Sequence, residues 1–318
     1  MLTKFLSVIF LFFISLHTNS GELAFITNQE SNKLDIIDIS NEKKISEIVV
    51  GMSPAAVFVD SESKRVFVSN PESNNVSVIN LQNNSNVLIN SIDSPMGLVL
   101  EKKKNRLYVA NWYSNSVTII DLNSLRKIKQ IEVGKSPAGI YLDEKLEKLF
   151  IANREDNNVS VLNTENFKII KKIKVEKAPF GIYSEPYLDL VIVTNVQSNS
   201  VSIIDKNSLK IIKNIKVGKW PYSAIHNRQT NKLFVTNQRD DSISIIDLSN
   251  NYAVSTLNDI CEYPEGIDIS YLEKIIVVAC WFEDNIILID LNNLNKKKEI
   301  ETSGGPRAFG KFIFSNND

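Results

Sequence analysis

The chain has 318 residues, with 36 basic against 37 acidic side chains and a formal net charge of −1. So even a balance gives no electrostatic footprint for nucleic acid or for an anionic membrane surface as partner. With only two histidines and two cysteines, a Ser-His-Asp triad or a zinc site built from several histidines is poorly supplied from the outset.

The first twenty residues stand apart. Lys4 supplies a positive start, residues 5–16 are almost wholly apolar, and a short polar stretch runs to Ser20 before Gly21. This is the layout of a secretory signal peptide cleaved near Ser20–Gly21. The apolar run falls short of the roughly 20 residues that a membrane-crossing helix needs. The expectation is therefore a leader over 1–20 and an exported chain, periplasmic or extracellular, over 21–318. No later segment has the apolar length of a span, so no membrane insertion of the mature chain is expected.

From residue 23 onward the chain repeats. Leu23-Ala-Phe-Ile-Thr-Asn28, Arg65-Val-Phe-Val-Ser-Asn70, Arg106-Leu-Tyr-Val-Ala-Asn111, Lys148-Leu-Phe-Ile-Ala-Asn153, Leu190-Val-Ile-Val-Thr-Asn195 and Lys232-Leu-Phe-Val-Thr-Asn237 are copies of one segment. A seventh copy closes on Cys280 in place of Asn. The spacing of these terminal residues, 41 to 43, marks a repeat architecture. Each repeat holds four short apolar runs, A to D, rich in Val, Ile, Phe and Tyr and separated by turn residues. The fourth alternates Lys with Ile, as at 168–175, which suits an edge strand with one wet face. No stretch after residue 20 sustains a helical period, so helix content near zero is expected.

Strand A also has seven copies, opening at Pro54, Pro95, Pro137, Pro179, Pro221, Pro264 and Pro306. Four-stranded units of this length arranged radially make a β-propeller. The chain begins with strands B, C and D (residues 23–50) and ends after a strand A. The C-terminal strand is thus expected to pair with the N-terminal three, completing a seventh blade and closing the ring without open edges. The fold class is all-β, a seven-bladed propeller of four-stranded blades forming a single domain over 21–318. The repeats Phe-Val-Thr-Asn237 and Tyr-Val-Ala-Asn111, followed by Asn-Val-Ser-Val and an Ile-Asp-Leu turn, resemble the YVTN-type β-propeller repeat family. The resemblance covers the whole mature chain. It implies a seven-bladed, exported or surface propeller and carries little about activity.

Two positions explain the pattern. The second residue after each strand-A proline is small in all seven copies (Ala56, Gly97, Gly139, Gly181, Ser223, Gly266, Ala308), as expected for an innermost strand. Strand C ends in Asp or Asn seven times, a ring that reads as turn capping rather than as metal ligands. Carboxylates at 60, 101, 143 and 185 recur six residues after the proline. They are expected in turns as well, although a ring of them at the channel mouth would hold a hard cation. His226 is the single histidine of the mature chain and reads as an ordinary inner-strand residue.

Strands A and B are antiparallel neighbours, so Cys261, just before strand A of blade 6, and Cys280, at the end of its strand B, share one end of the sheet. With export, that favours a Cys261–Cys280 disulfide. The same topology puts the D–A and B–C loops on one face, here called the top face. Trp112, Trp220 and Trp281 all fall there, with Arg154 and Arg239. The residues after the strand-A prolines face the channel mouth and are plain in blades 1 to 3, but Phe180, Tyr222, Glu265 and Arg307 in blades 4 to 7. These nine residues form the candidate binding site for a protein partner or small ligand, with aromatic walls and convergent charges. Alternatively, the aromatics plug the channel. The expected function is non-catalytic binding by a monomer, with no cofactor and no metal. The alternative is a propeller enzyme or cofactor-handling protein, because similar propellers include lactonase-like hydrolases and proteins of quinone- or haem-dependent oxidation. In that case Glu265 and Arg307 would be the acid–base and anion-binding groups.

Overall fold

The apolar runs form strands of mostly five to seven residues, and each set of four closes a blade. In blade 3 the strands are Pro137–Asp143 (A), Lys148–Asn153 (B), Asn158–Asn163 (C) and Ile169–Lys174 (D), paired antiparallel in that order. The computed structural model describes residues 21–315 and the backbone of a two-residue strand, Phe10–Leu11, paired with strand D of blade 1 (Ser85–Asn90). The proposed leader otherwise lies outside the described residues. Seven such sheets form the ring. The seventh joins Leu23–Asn28, Lys33–Asp38 and Lys43–Val49 to the C-terminal Ile313–Phe314, with Leu23 opposite Phe314 and a bridge from Asn28 to Pro306. The closure expected from the two incomplete ends is the one observed. Among the described residues the helical content is two single turns, Val196–Ser198 and Trp281–Glu283.

Burial follows radial position. Strands B and C have neighbouring blades on both faces, so Leu149, Phe150, Ile151 and Ala152 are all fully buried. Strand D alternates exposed and half-buried residues, as at Lys210–Lys216. The small residues after the strand-A prolines have a concrete cause. A Cβ on Gly97, Gly139, Gly181 or Gly266 would stand 2.2–2.5 Å from a backbone carbonyl oxygen of the next blade's strand A. The Asp and Asn residues ending strand C cap the C–D turns as expected. Asp121 Oδ1 accepts from Ser124 N at 2.7 Å, and Asp205 and Asp290 act alike.

A second seven-fold device was not anticipated. The last residue of every B–C turn is Asn or Asp in the left-handed region: Asn32, Asn74, Asn115, Asn157, Asn199, Asp241 and Asp284. Each side chain accepts a hydrogen bond from the amide just before the next blade's strand-A proline, from Ser53, Ser94, Ser136, Ala178, Trp220, Tyr263 and Gly305 in turn, at 2.7–3.1 Å. One residue type thus tolerates the positive φ and ties adjacent blades together.

The last inner strand is the irregular one. Ala308 and Gly310 have φ of 45° and 123°, and the bulge between them turns Phe309 into the channel. The displaced backbone finds other partners. Val57 and Val59 of blade 1 donate to the carbonyls of Phe309 and Lys311, so the C-terminal strand also bridges to the next blade. Asp268 of blade 6 accepts from Phe312 N at 2.9 Å and Ile313 N at 3.0 Å through Oδ2, and from Ile269 N at 2.9 Å through Oδ1. Burial pushes its carboxyl up to about 6 despite these amides.

Candidate functional site

At the mouth of the channel the residues after the strand-A prolines meet. Phe180 and Tyr222 stack with ring centroids 4.7 Å apart, and Phe309 packs 5.1 Å from the first and 5.4 Å from the second. All three are buried, with Ala55, Met96 and Ala138 in the same cluster. Phe309 was not among the expected site residues. It lies three residues after its proline, and only the bulge brings it to the axis.

Beside this cluster Arg307 Nε donates to Glu265 Oε2 at 2.8 Å, and Arg307 Nη2 donates to the Tyr222 hydroxyl at 2.7 Å. Gln238 Nε2 occupies the other carboxylate oxygen at 2.9 Å. Burial drives the Glu265 carboxyl up, with Arg307 offsetting part of the effect. For Arg307, burial opposes the charge, but Glu265 more than compensates and raises its affinity for the proton. The Tyr222 hydroxyl is pushed well up by the same burial. These groups satisfy one another, as a buried ion pair requires. The acid–base pair that the alternative reading relies on is thus spent on itself and on Tyr222.

The remaining candidates form three aromatic platforms around the rim. Trp112 packs 6.2 Å from Phe180, with the Arg154 guanidinium 5.9 Å from its ring. Arg239 lies 3.5 Å over the Trp220 ring. Trp281 packs on Phe282 at 4.6 Å and on Tyr263 at 6.1 Å, and its indole N–H donates to Gln29 Oε1 of blade 7 at 3.2 Å. Tyr263 completes this third platform and was not among the expected residues. It sits just before a strand-A proline, as Trp220 does, and that equivalence was the available signal.

The third platform is pinned from below by the Cys261–Cys280 disulfide, whose Cα atoms are 5.9 Å apart. Cys261 stands three residues before its proline, where blades 1, 3 and 5 have Gly51, Gly134 and Gly218. In those blades the glycine lies so close to the B-strand asparagine that a Cβ on Gly134 would stand 2.5 Å from Asn153 Cγ, and one on Gly218 2.6 Å from Asn237 Cγ. Blade 6 replaces that non-bonded contact with a covalent bond.

On the bottom face the recurring carboxylates hold cations of the protein itself. Asp143 pairs with the buried Lys206 at 2.8 Å, Asp60 with Lys102 at 3.2 Å, Glu101 with Lys104 at 3.1 Å, and Glu185 with His226 Nδ1 at 2.5 Å. Burial opposes the His226 charge, but its bonds to Glu185 and Asn231 outweigh that and raise its proton affinity. Among the described residues no three His, Cys, Asp or Glu side chains converge in a geometry that could hold a metal ion.

Ring, blade count and repeat define the class: a seven-bladed β-propeller built from Asn-terminated strand repeats. A family model described as a YNCE-like beta-propeller matches residues 59–148, and with the seven-bladed ring it supports a YVTN-type β-propeller repeat family for this chain. No curated protein matches the sequence. Among solved structures, a functionally unknown protein from Desulfotomaculum acetoxidans is similar with a TM-score of 0.76 at 11% identity, covering 89% of this chain and 98% of that one. The Kuenenia stuttgartiensis hydrazine synthase gives 0.73 at 17% identity, covering 82% and 92%. The dihydro-heme d1 dehydrogenase NirN in complex with DHE gives 0.67 at 11%, covering 95% and 76%. At these identities the likeness is one of fold.

Proposed function

We infer that the protein is an exported propeller that acts without catalysis of its own and binds a protein partner on its top face. The observation that carries this reading is the division between axis and rim. At the axis, the groups that could do chemistry are buried in mutual contact, with Arg307 Nε 2.8 Å from Glu265. At the rim, three aromatic platforms stand in loops, and Phe282 is 60% exposed. Aromatic side chains with few rotatable bonds make good interface anchors when a partner covers them. Export is supported by the leader pattern of residues 1–20 and by the disulfide. No helix among the described residues is long and apolar enough to cross a membrane.

The test is affinity capture from the envelope and secreted fractions of native cells. The wild type is compared with Trp281→Ala/Phe282→Ala on the top face and with Tyr187→Ala, a residue 92% exposed on the opposite face. A partner kept by the Tyr187 variant and lost by the double variant supports the reading. Loss with Tyr187→Ala alone would place recognition on the opposite face and overturn it.

A further inference from the structure

The three rim platforms differ in what stands over them. Trp112 and Trp220 each carry an arginine of the protein itself, Arg154 and Arg239. Trp281 and Phe282 carry none among the described residues, although Phe282 stands exposed in a short turn. The charges of the top-face loops are uneven as well. The top-face loops of blades 3 to 5 hold five basic and five acidic residues, whereas those of blades 6, 7, 1 and 2 hold seven acidic residues and no Lys or Arg.

Around the Trp281–Phe282 pair stand Glu30, Glu262, Glu283 and Asp284, with Asp259 earlier in the same D–A loop as Glu262; all are exposed, and none forms an ion pair among the described residues. Glu30 reaches the same spot from blade 7. A Cβ on Gly305 would meet both Glu30 Cγ, at 2.9 Å, and Trp281 Nε1, at 3.3 Å. The carboxylates of Glu283 and Asp284 are fixed by backbone amides, from Glu262 N at 2.9 Å and Gly305 N at 2.7 Å, so the negative charge is held in place rather than free to swing away. The acids are dispersed, with no three arranged to grip one metal ion. That spacing suits a partner that brings several positive charges on a flexible chain.

We propose that the top face of blades 6 and 7 docks a basic segment of a protein partner, with a lysine or arginine of that segment over the Trp281–Phe282 platform and its neighbours against the surrounding carboxylates. This rests on the top-face binding reading and names the chemistry of its partner. A guanidinium or ammonium over an indole or phenyl face is attracted by the ring quadrupole, and the unpaired carboxylates add long-range attraction that salt screens. The protein's own Arg239 on Trp220, at 3.5 Å, shows the contact that a partner's cation would make one blade further on.

The probe is a fluorescein-labelled peptide of lysine and arginine in a glycine–serine background. Two control peptides carry glutamate or leucine at the basic positions, and binding is read by anisotropy. The basic peptide is expected to bind the wild type and to weaken as ionic strength rises. It should lose about tenfold or more in affinity with Phe282→Ala, and similarly with Glu30→Lys/Glu262→Lys, in variants whose thermal unfolding is unchanged. If the leucine peptide binds and the basic one does not, top-face recognition stands and the basic assignment is overturned. If the basic peptide fails to bind, or binds with affinity that neither variant changes, the proposal is equally overturned.

Discussion

In blade 3, Asn153 closes the top corner by donating from its amide to Asn158 and Ser160, at 2.7 and 2.8 Å, while its oxygen accepts from Gly134 N at 3.0 Å. Blade 6 has no such amide. Cys280 stands in place of the asparagine, Cys261 in place of the glycine, and Ile287 in place of the serine hydroxyl that would have accepted the bond. Three changes in one corner replace a hydrogen-bond network with a covalent link and an apolar contact. The same blade supplies Glu265 and Asp268, and its neighbour supplies the bulged strand with Phe309. The regular blades show what the repeat needs to fold, and blades 6 and 7 show where the sequence does something else with the same frame.

The irregular sector should be sensitive at the axis. Phe309→Ala removes the ring that fills the channel between Phe180 and Tyr222, and it should cost about 3–5 kcal/mol in the urea-unfolding free energy. A loss as small as that of a surface residue would mean that the bulge is incidental. Replacing both cysteines, Cys261→Ser/Cys280→Ser, releases a link between residues 19 apart in sequence and should cost about 3 kcal/mol. Because Ile287 cannot restore the amide bond of blade 3, the corner has no fallback. An unchanged thermal midpoint would show that the disulfide is dispensable.

Asp268 should respond to pH. Its carboxyl, held up to about 6 by burial, keeps its proton where an unfolded carboxyl near 3.9 has already lost it. The folded state binds the extra proton, so stability should fall as pH rises through that window, by about 2–3 kcal/mol. Asp268→Asn keeps an acceptor for Phe312 and Ile313 and should flatten that slope. An unaltered pH profile would remove Asp268 from the account. The comparison can also be run in the other direction. Because Gly134 already stands where its Cβ would meet the Asn153 side chain, Gly134→Cys/Asn153→Cys should form a second disulfide with no free thiols on titration and only a small change in stability.

Most of the ring was legible because its causes recur. The proline, the small residue after it, the Asn ending strand B and the Asx ending strand C appear seven or nearly seven times, and each has a steric or hydrogen-bonding reason. The Cys261–Cys280 pairing followed from strand direction taken with the expected export. The clamps at Asn32 and its equivalents had the same period, but Asx in a turn reads first as local turn chemistry. The link to the next blade depends on which D–A loop the folded ring sets beside each turn. Phe309 and Asp268 could not be read, because they depend on a bulge at Ala308–Gly310 that occurs once. The carboxylates at 60, 143 and 185 read in the sequence as turn residues, but they bond to cations of the next blade, Lys102, Lys206 and His226, which their own turns do not reveal.

The central claim, a filled axis and a recognising rim, is tested most directly by comparing Phe282→Ala with Phe309→Ala in one experiment that reads unfolding and capture of the partner together. Phe282, 60% exposed, should keep the unfolding midpoint and lose the partner, while Phe309 should lose the midpoint. If Phe282→Ala unfolds the protein as readily as Phe309→Ala, or keeps its partner at full strength, the division between axis and rim is wrong.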